Sequence, residues 1–138
     1  MVAQSHQPSL SISAGENSFA VGLMESFLQC NATKKPILYV AYDMTPPMFL
    51  NKHVKTNETF AVALLLSPQK TTASLANISV NYSQQSATQL TDADLEILRL
   101  NSAAARSLSL LEKIILKKNA IVYLQSGRQQ CLEVNVQC

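Results

Sequence analysis

The stretch Ser9-Leu10-Ser11-Ile12-Ser13-Ala14-Gly15-Glu16-Asn17-Ser18-Phe19, followed one helix length later by Ile37-Leu38-Tyr39-Val40-Ala41-Tyr42-Asp43, decides how this chain is read. Ser9 to Ser13 alternates polar and apolar residues, with Leu10 and Ile12 on one face, and predicts a short strand. Ala14 to Ser18 is a turn in which Asn17 or Ser18 can offer a side-chain oxygen to the free N–H groups of a following helix. That helix is expected from about Phe19 to Asn31. Phe19, Leu23 and Phe27 form one stripe, and Ala20, Met24 and Leu28 the next. Gly22 in its middle costs about 1 kcal/mol against alanine, which points to a close approach to another backbone. Residues 37–42 are apolar without alternation, the pattern of a strand buried on both faces. Strand, helix and strand with short links make a βαβ unit. Residues 9–13 and 37–42 are therefore expected to be adjacent and parallel, with a right-handed crossover.

Working outward, residues 1–8 are polar and expected to be flexible, and residues 9–138 form one domain. Thr45-Pro46-Pro47 forces an extended loop that continues irregularly from Met48 to Asn57. Thr59 to Ser67 predicts a second apolar strand, stopped at Pro68. Leu75 to Tyr82 predicts a strand antiparallel to it, with a bulge where the alternation slips near Asn77. Thr91-Asp92-Ala93-Asp94 opens a helix with early negative charge, and Leu95, Ile97 and Leu98 give it an apolar side. Asn101-Ser102 breaks it. A further helix runs to Lys118 with Leu108, Leu111 and Ile115 as its stripe. Residues 121–124 and 132–136 flank Ser126-Gly127-Arg128 as a closing hairpin.

Composition narrows the function classes. Of 138 residues, 47% are apolar and only 14% charged, so either the core is large or a partner covers some apolar surface. A net charge of +2 without a basic stripe argues against nucleic acid. Lys34-Lys35 and Lys117-Lys118 read as helix-end or loop charges. Apolar runs such as Ala61 to Leu66 are far too short to span a membrane, and Met1 to Pro8 has no signal-peptide pattern, so a cytoplasmic location is expected. Cys30, Cys131 and Cys138 make neither a disulfide framework nor a metal site. Asn-x-Ser/Thr triplets, as at Asn31 and Asn77, are expected by chance in a chain of this composition. No cofactor-binding glycine loop fits three scattered glycines.

The segments Ser11 to Leu23, Pro36 to Asp43, Pro46-Pro47 and Phe60 to Leu66 together resemble the β-ketoacyl-synthase-like N-terminal domain family. The Ser13-Ala14-Gly15-Glu16 turn and the Val40-Ala41-Tyr42-Asp43 strand end carry most of the likeness. The resemblance implies an α/β fold with a mixed β-sheet layered with helices, thiolase-like. Family members are associated with aryl-polyene and related fatty-acid or polyketide-type biosynthesis. Such domains carry further strands and helices ahead of the strand expected here at Ser9, so the chain is expected to be a partial domain, the second portion of one.

Condensing enzymes hold a cysteine at a strand-to-helix turn, where the helix N-terminus favours the thiolate and backbone N–H groups hold the oxyanion. By pattern that turn is Ala14 to Ser18, and it has no cysteine. Asn17 falls about where the nucleophile would sit, and an amide cannot attack a thioester. Gly15, Glu16, Asn17 and Ser18 are thus read as a degenerate nucleophile turn, with no catalytic residue in it. The resemblance to chain-length-factor subunits, which carry a glutamine there, implies that Glu16 and Asn17 face an acyl chain; the plainer alternative is helix capping. Ser18 does not fit a Gly-x-Ser-x-Gly elbow, and His6 and His53 are placed as surface residues rather than its base. Cys30 lies at the wrong end of the helix dipole and reads as a packed thiol. Asp43 ends a strand where ligands often bind in open α/β sheets, although such residues also commonly cap loops.

Three functions remain open on sequence. The first is an accessory, non-catalytic subunit acting with a ketosynthase and an acyl carrier protein. The second is an active acyltransferase or condensing component whose missing residues lie on another chain. The third is a small α/β interaction module unrelated to acyl chemistry. The resemblance and the expected open sheet edge both place association, with a ketosynthase-like subunit or a second copy, at residues 9–13.

Overall fold

The computed structural model describes residues 8–45 and 59–138. The segments expected at 1–7 and at 46–58, including His6 and His53, lie outside the described residues. A 3-10 turn at Gly15–Asn17 leads into helix α1 (Ser18–Thr33), which Lys34 ends in the left-handed conformation. Strands β1 (Ile37–Asp43) and β2 (Phe60–Leu66) pair antiparallel as a two-stranded ribbon. Strand β3 (Asn77–Ser83), helix α2 (Ala93–Asn101), a 3-10 turn at Ala104–Ser107, helix α3 (Leu108–Ile115) and strands β4 (Ala120–Gln125) and β5 (Cys131–Gln137) follow. The last three strands form an antiparallel sheet in the order β3-β5-β4.

The α/β class expected from sequence is what forms: helices layered on sheets, compatible with part of a thiolase-like domain. The strand pairings differ from expectation. Residues 9–13 are not a strand but an exposed, unpaired segment, so β1 has no parallel neighbour among the described residues. Only Leu10 and Ile12 in that segment are large and apolar, too few to anchor a strand without a partner. β3 pairs with β5 rather than with β2, and the register runs unbroken from Asn77 opposite Gln137 to Ser83 opposite Cys131, with no bulge at Asn77. β4 and β5 make the expected hairpin.

One core holds the layers together. Phe19, Ala20 and Leu23 of α1, Leu110 of α3, Val122 and Leu124 of β4, and Leu132, Val134 and Val136 of β5 are buried in it. Tyr39, Ala41, Val62 and Leu64 of the ribbon pack on the same cluster. α1 therefore sits between the two sheets, which explains why both of its apolar stripes near the N-terminus are covered. Further along, Leu28 emerges and is half exposed. Gly22 is the point of close approach, but to a side chain: a Cβ there would stand 2.7 Å from the Tyr39 ring. The Tyr39 hydroxyl donates 2.9 Å to the Phe19 carbonyl, and burial pushes its pKa well above the usual tyrosine range, so it stays protonated.

Two expected apolar faces point the other way. β1 is not buried on both sides. Ile37, Tyr39 and Ala41 turn inward, while Leu38, Val40 and Tyr42 are exposed. In α2 the buried residue is Arg99, and Leu95, Ile97 and Leu100 are exposed. Arg99 is held by Glu96, with Nε and Nη2 at 2.7 and 2.6 Å from its carboxylate, and this pairing holds the Glu96 carboxyl below its usual range. Asp92 caps α2 with Oδ1 accepting from the N–H groups of Asp94 and Leu95, each at 3.0 Å. In α3 the inward stripe is Leu110 and Ile114, not Leu108, Leu111 and Ile115. Among the described residues no helix is long and apolar enough to cross a membrane.

Candidate functional site

The turn before α1 is closed by its own side chains. Gly15 has φ +57°, a conformation that side chains other than glycine's rarely adopt without strain. This lets the chain reverse so that the Asn17 N–H donates to the Ala14 carbonyl at 3.2 Å. Ser18 Oγ donates 2.7 Å to the Gly15 carbonyl and accepts from the Ala14 N–H at 2.9 Å. Its hydroxyl is thus spent inside the turn. Neither Asn17 nor Ser18 makes the side-chain cap of α1 that the sequence suggested. Asn17 sits at the cap position with φ −94° and ψ 3°, outside the extended conformation from which an Asx side chain reaches the first helical N–H groups. Its Oδ1 is buried and has no hydrogen-bond partner among the described residues.

Glu16 points to Arg106, whose Nη2 donates 3.0 Å to Glu16 Oε2. Arg106 Nη1 donates 2.9 Å to Gln125 Oε1 on β4. Arg106 itself is buried, and its Nε has no partner among the described residues. Burial lowers its affinity for the proton, and the Glu16 carboxylate works against that shift. Arg106 thereby bridges the turn before α1 to the second sheet. Sequence reasoning did not find it. The available signal was a lone arginine after Ala103-Ala104-Ala105, small residues that let a backbone approach closely and leave one long side chain to span the gap.

Asp43 ends β1 and is bound to the same 3-10 turn from its other end. Its Oδ2 accepts from Ser102 Oγ at 2.6 Å and from the Ala104 N–H at 2.8 Å, and Ser102 Oγ accepts from the Ala105 N–H at 3.1 Å. The carboxylate caps the turn at Ala104–Ser107, satisfying N–H groups that no helical carbonyl reaches. Asp43 and Glu16 therefore grip one short element of four residues, at Ala104 and at Arg106. Asp43 acts here as a capping residue. Asn17 makes no polar contact to either of them.

Thiols lie away from this turn. Cys30 is buried about 20 Å along α1 from Asn17, near the end of the helix whose dipole disfavours a thiolate. Cys131 is buried on β5, and desolvation pushes its thiol up. Cys138 is exposed, and all three are free. Two polar grooves flank the second sheet, one along Lys70, Asn77, Asn119 and Asn135, the other along Gln84, Gln85, Gln125 and Arg128. Neither of these grooves is lined by Asn17 or Asp43. Among the described residues, no group of three or more acidic, histidine or cysteine side chains could hold a metal.

The fold and this turn define an α/β domain whose first helix opens from a closed turn without a thiol. The sequence matches the family model described as β-ketoacyl synthase, N-terminal domain, over residues 1–131. The match spans nearly the whole chain, and the chain belongs to that family. No curated protein and no solved structure matches it significantly.

Proposed function

We propose that this chain is a non-catalytic, chain-length-factor-like member of its family, a cytoplasmic accessory subunit in fatty-acid or polyketide-type biosynthesis of the aryl-polyene kind. It acts with a partner ketosynthase and an acyl carrier protein. The observation that carries this reading is the closed state of the turn at Gly15–Ser18. Ser18 is bonded back into the turn, Glu16 is tied to Arg106, and Asn17 cannot serve as a nucleophile. A condensing nucleophile needs a thiol at the positive end of the helix, and the nearest thiol along α1 is at its other end. In this role Asn17 faces the acyl chain, while Asp43 and Arg106 fix the turn beside it. Residues 9–13, whose backbone is unpaired and whose Leu10 and Ile12 are exposed, are the segment on which the partner ketosynthase adds a strand.

Family membership speaks against the reading as an unrelated interaction module. The test separates the remaining two. The purified chain, given acyl- and malonyl-loaded carrier proteins, is expected to form no carbon–carbon bond. Co-expressed with a family ketosynthase, it is expected to co-purify and to shift product chain length, a shift altered by Asn17→Trp. Condensation by the chain alone, abolished by Asn17→Ala or Cys30→Ser, would establish it as an active condensing component instead.

A further inference from the structure

We propose that the groove between the loop at 84–87 and the β4–β5 hairpin is a binding site for a small hydroxylated phosphate monoester. The inference does not depend on the accessory role proposed above, because the site needs no partner chain. The groove has a volume of about 510 Å³, common for a small-molecule site and larger than a bare phosphate requires. The loop contributes Gln84 and Gln85, and the hairpin contributes Gln125, Arg128, Gln129 and Gln130. Most small-molecule sites are walled by apolar side chains; this one is walled by amides, so its ligand is polar throughout. Arg128 is the one charged side chain lining it, and no aspartate or glutamate does so among the described residues.

Two features prepare the groove for an anion. The first is the buried Arg106, whose Nη1 donates 2.9 Å to Gln125 Oε1. A guanidinium has donors only, so the amide oxygen is the atom turned to Arg106, and both N–H donors of Gln125 Nε2 remain for the groove. A positive charge therefore stands behind those donors. Glu16 pairs with Arg106 at Nη2, but its side chain is 61% exposed against 8% for Arg106, so water screens the acid more than the guanidinium. The second feature is that both walls are already held. The Gln130 carbonyl accepts from the N–H groups of Ser126 and Gly127, each at 3.0 Å, and from Ser126 Oγ at 3.1 Å, which closes the loop carrying Arg128. The opposite wall is fixed by the Gln85 N–H on Ser83 Oγ at 3.2 Å and by the two bonds from Thr88 to Tyr123. Walls held in this way lose little freedom on binding.

The donor set selects the ligand. The planar fork of Arg128 matches two oxygens of a phosphate, and amide N–H groups can take the third. A carboxylate has no third oxygen to offer them. Glutamine amides both donate and accept, which is what hydroxyl groups on the rest of the molecule require. A cation would meet Arg128 with no acid to hold it, and an apolar ligand would strand the amides.

Titration of the whole chain with glycerol phosphate, followed by backbone amide NMR shifts, tests this, with inorganic phosphate and glycerol as comparison ligands. Glycerol phosphate is expected to bind with Kd below about 1 mM and to shift amides in 84–87 and 125–130. Inorganic phosphate is expected to bind at least roughly threefold more weakly, and glycerol to cause no shift at the same concentrations. Arg128→Gln, on an exposed loop, is expected to weaken glycerol phosphate at least about tenfold. Arg128→Lys is expected to weaken it less, because it keeps the charge and loses the fork. Gln125→Glu is expected to abolish binding by setting a carboxylate in the groove, and Gln84→Glu takes its place where Gln125→Glu does not fold. Lys70→Gln, in the other polar groove, is expected to change nothing. No saturable shift up to about 10 mM glycerol phosphate overturns the proposal. So does binding indifferent to Arg128→Gln, equal binding of glycerol, or inorganic phosphate bound as tightly as the ester.

Discussion

The two sheets of this protein share one core and present opposite faces to the outside. On the sheet β3-β5-β4, the outer rows run Ser79, Asn135, Ile121 and Asn81, Glu133, Tyr123, so polar groups dominate. On the ribbon β1–β2 the outer rows hold only leucine, valine, tyrosine and alanine. Their inner faces are alike: Tyr39, Val62 and Leu64 pack from one side as Val122, Leu132 and Val134 pack from the other. The edges differ too. Thr88 lies along β4, its N–H donating to the Tyr123 carbonyl and its Oγ1 accepting from the Tyr123 N–H, each at 2.9 Å. That contact covers part of an edge that would otherwise invite pairing. The second sheet is thus finished for contact with water, and the first is finished only on the side that meets α1. The difference teaches that half-buried alternation marks where the core lies, while only the outer residues tell the two sheets apart.

The comparison breaks most sharply at the core. Leu132→Ala, at a fully buried β5 position, is expected to cost about 2–5 kcal/mol in urea unfolding, because it removes packing at the centre of the shared cluster. Leu65→Ala, on the exposed face of the ribbon, is expected to cost within about 0.5 kcal/mol in the monomer. Equal losses at the two positions would mean that the outer face of the ribbon is covered within a single chain.

A smaller effect sharpens how α1 binds the ribbon. Gly22→Ala improves helix propensity by about 1 kcal/mol. It also drives a Cβ to 2.7 Å from the Tyr39 ring, an overpacking expected to cost about 1–3 kcal/mol and to outweigh the gain. The loss is expected to shrink when Tyr39→Leu is added, in a double-mutant cycle followed by thermal unfolding. A stabilised Gly22→Ala single variant would show that α1 and β1 are further apart than described.

The smallest effect separates the two sheets dynamically. Asp43→Ala removes the acceptor for Ser102 and for the Ala104 N–H and is expected to cost about 1–2 kcal/mol. Asp43→Asn keeps one oxygen and is expected to cost less. Hydrogen exchange is expected to speed up in β1 and β2 of Asp43→Ala and to stay nearly unchanged in β4 and β5. Uniform loss of protection would mean that the ribbon and the second sheet open as one unit.

What the sequence determined by itself was local. The period of Phe19, Leu23 and their neighbours placed α1 within two residues, because a 3.6-residue apolar stripe has few alternatives. The apolar run from Ile37, the one stopped at Pro68 and the hairpin around Ser126-Gly127-Arg128 were legible as short apolar runs bounded by turn residues. The missing cysteine at Ala14–Ser18 and the family likeness were legible directly from residue identity. Partnership was not. A strand's own residues do not say which other strand completes its hydrogen bonds: the alternation at 9–13 forms no pairing among the described residues, and β3 lies beside β5 rather than β2. Nor can an apolar run say whether both of its faces are covered, which is why β1 read as doubly buried when Leu38, Val40 and Tyr42 face outward. The polar ties at the site were equally hidden. Glu16 and Arg106 are 90 residues apart in sequence, and Asp43 and Ala104 are 61 apart. Only the packing of α1 between two sheets brings those pairs within hydrogen-bond reach. Contacts at that separation are set by the global arrangement of layers, and no local pattern in the chain encodes them.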